Sequence, residues 1–450
     1  MTLVTSPDAV DKFSSAYEKF TVEKATSPNW VKKLREQAWS TFSEIGIPTK
    51  RRGNELWKYT NLQPLTALDF YAGHSGSVTT ARIKNSAPWD DDWHTLVVVD
   101  GKFSSELSRI NDIDGLQLIS LNEAIETETD DLKSLLATLA GKEEYAFSAL
   151  NTAFLDDGAY VSVAEGVKIE QPIHVVHVTS ESVESRAVYP RLLVDARAGS
   201  SIVLIETHLN IATTSQFSAP VVEIFQGESS SLRHYRVQME NEISFHLGTT
   251  RVSQQSDTDF TSTSFAVGAQ IARNDIHSLL DAPGASCTLH GLYMTNGVQH
   301  QDQEISTTHA KPGGTSDQFY KGILSGKSQA VFSGKVIVMR DAQKSDASQK
   351  DLNLLLSRGA EVDAKPSLEI YADDITASHG ATAGHVDRDT LFYLQSRGVD
   401  EESAKAILVR GFAEEMLNEF EPTALYDFVE RVTDERIPVL LSESDTIGTA

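Results

Sequence analysis

The sequence predicts a mainly β protein whose core is a parallel β-helix flanked by helical domains at both ends. Three observations lead to this prediction: short β-rich runs from about residue 96, turns that carry a single Gly, and helical spacing of apolar residues at both ends. Such a string of strands suits a sandwich, a barrel or a solenoid. The solenoid is favoured because the single-Gly turns suit corners between coils and Asn-Gly hairpin signals are scarce.

Residues 1–95 are expected to form a small helical domain that ends in an aromatic linker. Between residues 30 and 43 apolar side chains recur every four positions, as on one face of a helix. Pro48 breaks this pattern, and the polar run at 51–65 contains Trp57. We expect this run to lie against the next domain.

Residues 96–386 are expected to form the β core, with few helices before residue 387. Runs rich in β-branched and apolar residues support this interpretation. They include residues 96–101, 159–163, 173–178, 191–195, 201–205 and 221–225. No clean repeat period is visible, so any coil repeat is degenerate in sequence.

Residues 387–450 are expected to form a helical domain. Gly398 ends a first predicted helix, and Asp400 caps a second one that runs through Phe420 with a broad apolar face. The segment contains 15 acidic and 6 basic residues. Its outer surface is therefore expected to be acidic and to suit a basic partner surface.

Charge argues against nucleic acid and anionic membranes as partners of this chain. The 450 residues carry a formal net charge of −25, which phosphate backbones and anionic lipids would repel. The first residues lack the basic and apolar regions of an export signal, and no segment resembles a membrane span. We therefore expect a cytoplasmic protein.

Motifs for nucleotide binding and serine hydrolysis are missing from the sequence. Neither the phosphate-binding loop nor the Gly-x-Ser-x-Gly elbow is present, so this chain is not expected to bind ATP. Cys287 is the one cysteine, which excludes an intrachain disulfide and any thiolate-built cluster site from this chain alone. Its alternation with small and apolar residues is typical of a buried strand.

Histidines that lie near carboxylates in the sequence are candidate metal ligands. His300, Asp302 and His309 lie close in sequence without a diagnostic spacing, so hydrogen bonding along strands is favoured for both histidines. His174 and His177 have an odd spacing on one predicted strand. Their side chains should face opposite sides of the sheet, which excludes a simple pair on one face.

A second group surrounds His379, at the point where strands give way to helices. Asp373, Asp374 and His385 lie near it in sequence. An imidazole beside carboxylates can be a neutral metal ligand, a proton carrier or a capped turn residue. The residues alone leave these roles of His379 open.

The same region resembles the SufB/SufD family of iron–sulfur cluster assembly subunits, in its SufD branch. Residues 373–374, 378–382, 391–394 and 396–398 match the C-terminal signature. Other motifs fit in order over nearly the whole chain, at residues 55–62, 309–312, 318–322, 332–335, 342–343, 354–357 and 365–370.

The resemblance implies a right-handed parallel β-helix and a non-catalytic scaffold subunit of the SufBCD complex. It implies pairing with a SufB paralogue through the β-helices and docking of a SufC ATPase on the C-terminal helices. Arg397, Gly398 and Phe412 are candidate contacts for that ATPase. A transient iron–sulfur cluster would form at the SufB interface, with His379 as nitrogen ligand or proton-transfer group. A flavin in the assembled complex also fits the resemblance.

One departure from the family pattern concerns sulfur. The family often has Cys two residues before the histidine, and this chain has Ala377. Any thiolate beside His379 would then come from the partner. The SufB branch is disfavoured because its motif usually has Glu where this chain has Gly380, and because its ligand cysteines are missing.

Two alternatives stay open. One is a stand-alone β-helix enzyme that cleaves polysaccharide with Asp302 and Glu304 as acid and base. The missing export signal disfavours it. The other is a homodimeric scaffold that works without a SufB partner.

Overall fold

The computed structural model describes residues 5–50, 54–70, 76, 78–127, 130–141 and 145–444. The helices are α1 (Pro7–Glu23), α2 (Asn29–Ile45), α3 (Gln63–Thr66), α4 (Thr80–Ser86), α5 (Leu121–Thr127), α6 (Asp130–Leu135), α7 (Ala146–Ala153), α8 (Arg388–Ser396), α9 (Glu401–Leu417) and α10 (Thr423–Ser442). A short 3-10 helix covers Glu55–Trp57.

Strands occupy most of the chain between these helical regions. The first are β1 (Thr5–Ser6), β2 (Ile47–Pro48), β3 (His94–Val99), β4 (Lys102–Arg109), β5 (Leu116–Ser120), β6 (Ala159–Val163), β7 (Ile173–Thr179), β8 (Arg186–Val188), β9 (Arg191–Ala196), β10 (Ser201–Asn210), β11 (Gln216–Ser218) and β12 (Val221–Gln226). The others are β13 (Ser231–Glu240), β14 (Phe245–Gln254), β15 (Asp259–Gly268), β16 (Ile271–Leu280), β17 (Ser286–Thr295), β18 (His300–His309), β19 (Thr315–Leu324), β20 (Gln329–Val338), β21 (Asp346–Leu355), β22 (Glu361–Ala364), β23 (Ser367–Ile370) and β24 (Thr376–His385).

The strands build a parallel β-solenoid of about eight turns. Successive strands from β12 to β21 alternate between two sheets, so each coil contributes one strand to either sheet. The ten-stranded sheet runs in the order β24-β21-β19-β17-β15-β13-β10-β7-β3-β4. With 41% strand and 26% helix, the prediction of a mainly β solenoid between helical ends is confirmed.

Coil length explains why no clean period was visible in the sequence. Asp259 pairs with Ser286, 27 positions later, whereas Thr315 pairs with Asp346, 31 positions later. Each parallel pairing still places equivalent side chains above one another. The inward-facing columns of these side chains form the main apolar core together with buried polar residues.

The N-terminal helices pack on the side of the solenoid, against β11, β14 and β16. Aromatic residues of α1 and α2 form a core with α7 and with Phe217 and Phe245 of the solenoid. The short helices α5, α6 and α7 lie within the segment expected to be mainly strand. Every residue of α7 is buried, including the polar Ser148, Asn151 and Thr152, and the helix is only eight residues long, so its sequence carries a weak helical signal.

The C-terminal helices pack on the outer face of the ten-stranded sheet. Buried residues of α9 and α10 form one core with Ile205, Tyr235 and Leu292 of that sheet. The predicted cap is confirmed, because the side chain of Asp400 accepts a hydrogen bond from Ser403 N at 2.9 Å. Among the described helices, none has the length and apolar character needed to span a membrane.

Candidate functional site

His379, the main candidate from the sequence, lies on β24 at the edge of the ten-stranded sheet. Its backbone pairs with that of Gln349 on β21, and His379 is exposed. The buried Gln349 donates from Nε2 to Oε1 of Gln318 at 3.0 Å. Its own Oε1 has no hydrogen-bond partner in the part of the chain that the structure describes. His379 therefore stands at the end of a polar interior.

The strand register places His379 in a column that runs through the solenoid. The buried members of that column before it are His234, Ser262, Leu289, Gln318 and Gln349. Polar groups of successive coils are thus aligned with the exposed imidazole. Leu289 interrupts the polar sequence of this column and separates the His234–Ser262 pair from the Gln318–Gln349 pair that precedes β24.

The neighbours of His379 in sequence do not converge on it. Asp374 forms an ion pair with Lys344, and Asp373 is exposed in the turn before β24. The Nδ1 atom of His385 lies 2.8 Å from a backbone carbonyl oxygen. A strand rises about 3.3 Å per residue, so the two imidazoles of β24 are about 20 Å apart. They cannot share one metal ion.

The candidate contacts for the partner ATPase differ in how exposed they are. They are Arg397, Gly398 and Phe412. Exposed Arg397 follows α8, and its guanidinium carbon lies 5.1 Å from the ring centroid of Tyr393. Gly398 has φ +89° at the end of α8, a conformation that favours glycine. Phe412 is half-buried, with Lys321 Nζ 4.8 Å from its ring centroid. The first two share an exposed corner, and Phe412 contributes to packing on the solenoid.

His300 and Asp302 belong to a buried ionic cluster beneath the aromatic linker. Thr60 Oγ1 lies 3.0 Å from His300 Nε2 and also donates to Asp302. Asp302 pairs with Arg273, whose guanidinium carbon lies 4.4 Å from the ring centroid of Trp57. The prediction that this linker lies against the next domain is confirmed. These contacts give both side chains structural partners, although Oδ1 of Asp302 has no hydrogen-bond partner within the described residues.

Glu304 and His309 follow Asp302 on the same strand, and both are buried. Burial raises the pKa of Glu304 to about 7, and Arg273 Nη2 lies 3.2 Å from its carboxylate. His309 is buried, with Nε2 2.8 Å from Ser316 Oγ, apart from the ionic cluster. With Asp302 at 1% and Glu304 at 8% exposure, these carboxylates have no open cleft in which to meet a polysaccharide.

Cys287 is buried in the solenoid core, as the sequence predicted. Burial raises the pKa of its thiol to about 12, while Ser278 and Thr307 form hydrogen bonds with it. A thiol rather than a thiolate is therefore present at neutral pH. It is neither a nucleophile nor a ready metal ligand.

A polar cluster inside the first coils was missed by the sequence argument. The rings of His177 and His208 are stacked with centroids 4.8 Å apart. Glu206 Oε1 lies 2.6 Å from His208 Nε2 and 3.8 Å from His177 Nε2. All three residues are buried. Burial lowers the pKa of His177 to about 3, so its imidazole is neutral at physiological pH.

The missed signal was a spacing of one coil. His177 pairs with His208 in the parallel register, 31 positions later. The expectation that His174 and His177 face opposite sides is confirmed, since His174 contacts Thr207 and the ring of Trp93 instead. The sequence alone did not show which residue of the next coil lies beside His177, because coil length varies along the chain.

Comparison with known proteins matches both halves of the chain. The family model described as the SUF system FeS cluster assembly SufBD core domain matches residues 177–412, and the SufBD protein N-terminal region matches residues 10–175. An iron–sulfur cluster assembly SufBD family protein of Synechocystis is 30% identical over 419 residues, covering 91% of this chain and 92% of the relative.

Two further relatives carry a more specific name. The iron–sulfur cluster assembly protein SufD of Escherichia coli is 28% identical over 405 residues, covering 90% of this chain and 92% of the relative. SufD of Bacillus subtilis is 23% identical over 418 residues, with coverage of 90% and 93%. These matches extend over the solenoid and both helical regions.

Proposed function

This chain belongs to the SufBD family of iron–sulfur cluster assembly proteins and is SufD-like, and we propose that it acts as the SufD subunit of a SufBCD scaffold. In this proposal it pairs with a SufB paralogue, docks a SufC ATPase and has no catalytic activity of its own. The observation that carries the proposal is the open edge of β24, where His379 lies. We expect the complex to work in the cytoplasm.

The edge of β24 suits pairing with another chain. Among the described strands only β21 pairs with it, which leaves the other edge of all ten residues without a partner strand. An open edge of this length invites strand addition unless Lys, Pro or a bulge protects it. β24 contains no Lys or Pro and consists mainly of Ala, Gly, Ser, Thr and His. A partner solenoid can therefore approach it closely.

His379 would contribute one half of the assembly site at that interface. Its imidazole is exposed on the pairing edge, where it can act as a nitrogen ligand or transfer a proton during assembly. Because Ala377 replaces the family cysteine and Cys287 is buried, the thiolates would come from the partner. Iron and sulfide are cargo in this proposal, and a flavin bound by the assembled complex stays a prediction.

The corner formed by α8 and the start of α9 is the proposed docking surface for the ATPase. Phe392, Tyr393 and Ile407 are 71%, 55% and 51% exposed, which is unusual for apolar side chains in so acidic a segment. Arg397 stacks on Tyr393 at the same corner. An apolar patch with an acidic surround suits a partner whose surface is apolar at the centre and basic at the rim.

The test is co-expression of the full chain with SufB and SufC homologues from the same genome. We expect all three to co-purify, and absence of both partners would overturn the scaffold proposal. In anaerobic reconstitution, His379→Ala should leave the complex intact and lower cluster yield, whereas His385→Ala on the same strand should not. An unchanged yield in His379→Ala would remove His379 from the site.

A homodimer is the competing use of the same edge. Two copies of β24 can pair antiparallel about a two-fold axis, because the strand is polar and free of bulky side chains along its length. Light scattering of the chain alone and with the SufB homologue separates the two arrangements. A homodimer that does not dissociate when the homologue is added would favour the alternative.

A further inference from the structure

We propose that the His177, Glu206 and His208 cluster is a binding site for one divalent transition-metal ion of borderline character, such as Zn²⁺ or Fe²⁺. It lies inside the first coils, at the opposite end of the solenoid from His379. The three side chains offer two imidazole nitrogens and one carboxylate oxygen within 4.8 Å of one another. This donor set is one that such ions prefer.

The unpaired nitrogens of the cluster point to a ligand. Neither ring nitrogen of His177 has a hydrogen-bond partner within the described residues, and neither does Nδ1 of His208. Buried polar atoms are nearly always paired, so three such nitrogens in one cluster require an explanation. A metal ion bound through Nε2 of His177, the nitrogen that faces Glu206, would account for that nitrogen. His208 can place its proton on the unpaired Nδ1 and turn a lone pair on Nε2 towards the ion.

Outer residues hold the proposed ligands in position. His234 Nε2 lies 3.1 Å from the second carboxylate oxygen of Glu206, and His234 Nδ1 lies 3.0 Å from Ser262 Oγ. Such contacts to the far side of a ligand fix its orientation in metal sites. The carboxylate therefore has one oxygen directed at the two histidines and the other held from behind.

The charges around the cluster also favour a cation. Glu206 and Glu240 are both buried beside the cluster. The buried guanidinium of Arg236 interacts electrostatically with both carboxylates. Arg236 donates to Nε2 of His246, and Nδ1 of His246 faces Glu240. Two buried carboxylates therefore face one buried guanidinium, and a bound cation would balance the second carboxylate.

A small cavity lies between the cluster and the surface. Its lining includes His177 and His208 together with Asp100, Gly101 and Val188. The same three residues also line an open pocket of about 510 Å³ beneath α1. These residues therefore stand between the surface pocket and the cluster, and the cavity has room for about one water.

The test uses the metal-free, tag-free full chain, dialysed against Zn²⁺ and separately against Co²⁺. We expect about one ion per chain, with Co²⁺ absorption and X-ray absorption spectra that show two imidazole ligands and an oxygen ligand. His177→Gln and His208→Gln should weaken binding by about tenfold or more. Less than stoichiometric binding by the wild type, or a spectrum without imidazole ligands, would overturn the proposal.

Two matched controls separate this site from other histidines. His174→Gln removes an equally buried imidazole three residues away on β7 and should leave metal binding unchanged. His379→Ala should also leave it unchanged, which distinguishes the ion from iron bound at the proposed assembly site. Equal loss of binding in His174→Gln and His177→Gln would reassign the effect to damage of the fold and reject the site. The spectra of the wild type do not depend on the folding of any variant.

Discussion

The two ends of the solenoid are finished in opposite ways. At the first end β4 and β5 pair antiparallel with the edge strands β3 and β6, and α5 packs against β6 and β9. At the last end β24 stops the ten-stranded sheet with a parallel edge whose residues are mostly exposed. The first end thus finishes in antiparallel strands that a helix of the same chain covers. At the last end the outer edge of β24 has no partner strand among the described residues.

The ion pairs of the two ends also differ, in how deeply they are buried. At the first end the carboxylate of Glu223 pairs with Arg191, and both side chains are fully buried. Glu223 also accepts hydrogen bonds from the backbone nitrogens of Ala137, Leu139 and Ala140. At the last end Lys344 and Asp374 pair in the open, with side chains 73% and 62% exposed. Polar contacts should therefore stabilise the fold strongly at one end only.

The largest expected effect comes from Glu223→Gln. It leaves Arg191 buried without a counter-charge, which costs about 3–5 kcal/mol of unfolding free energy. Asp374→Asn removes a carboxylate at the open end and should cost less than about 1 kcal/mol. Urea unfolding followed by circular dichroism measures both. Equal losses in the two variants would contradict the proposed difference between the ends.

Asp351 adds a pH dependence near the open end. Burial raises the pKa of this carboxyl to about 7, and Asn353 Nδ2 donates to it at 2.7 Å. The folded chain therefore keeps the proton after the unfolded chain has lost it. The resulting stability is complete below pH 4 and is lost as pH rises to about 7.

Asp351→Asn should remove the loss of stability that the wild type shows as pH rises from 4 to about 7. Each pKa unit corresponds to about 1.4 kcal/mol, so the variant should gain about 2–4 kcal/mol over the wild type at pH 8 and little at pH 4. Unfolding midpoints across this range measure the difference. A constant difference between the two proteins at every pH would mean that Asp351 does not titrate in the folded state.

The sequence predicted local features correctly, but it did not predict features that depend on the pairing of two coils. Local signals gave correct results: Asp400 caps α9, Cys287 is buried, and His174 and His177 face opposite sides. The cluster around Glu206 depends on which residues stand one coil apart. Because coil length varies along the chain, that register becomes visible only when the strands are paired.

Lysine on the open edge should affect association more than stability. Thr382 is exposed on β24, so Thr382→Lys should leave the unfolding midpoint of the isolated chain nearly unchanged. It should weaken binding to a SufB homologue by about tenfold or more, because a lysine on an edge strand blocks pairing. Thr315→Lys places the same change at an exposed residue of β19, a strand within the sheet, as a control. Equal binding by both variants would place the interface elsewhere.

The smallest expected effect on cluster yield comes from Cys287→Ser, which asks whether sulfur chemistry belongs to this chain at all. Serine fits the same space and can keep the hydrogen bonds to Ser278 and Thr307, so the stability loss should be within about 1–2 kcal/mol. Cluster yield in the assembled complex should equal that of the wild type, because the thiol is buried and has a pKa of about 12. If yield fell while the complex and its stability stayed intact, the buried sulfur would take part in assembly. The confinement of assembly to the open edge of β24 would then fail.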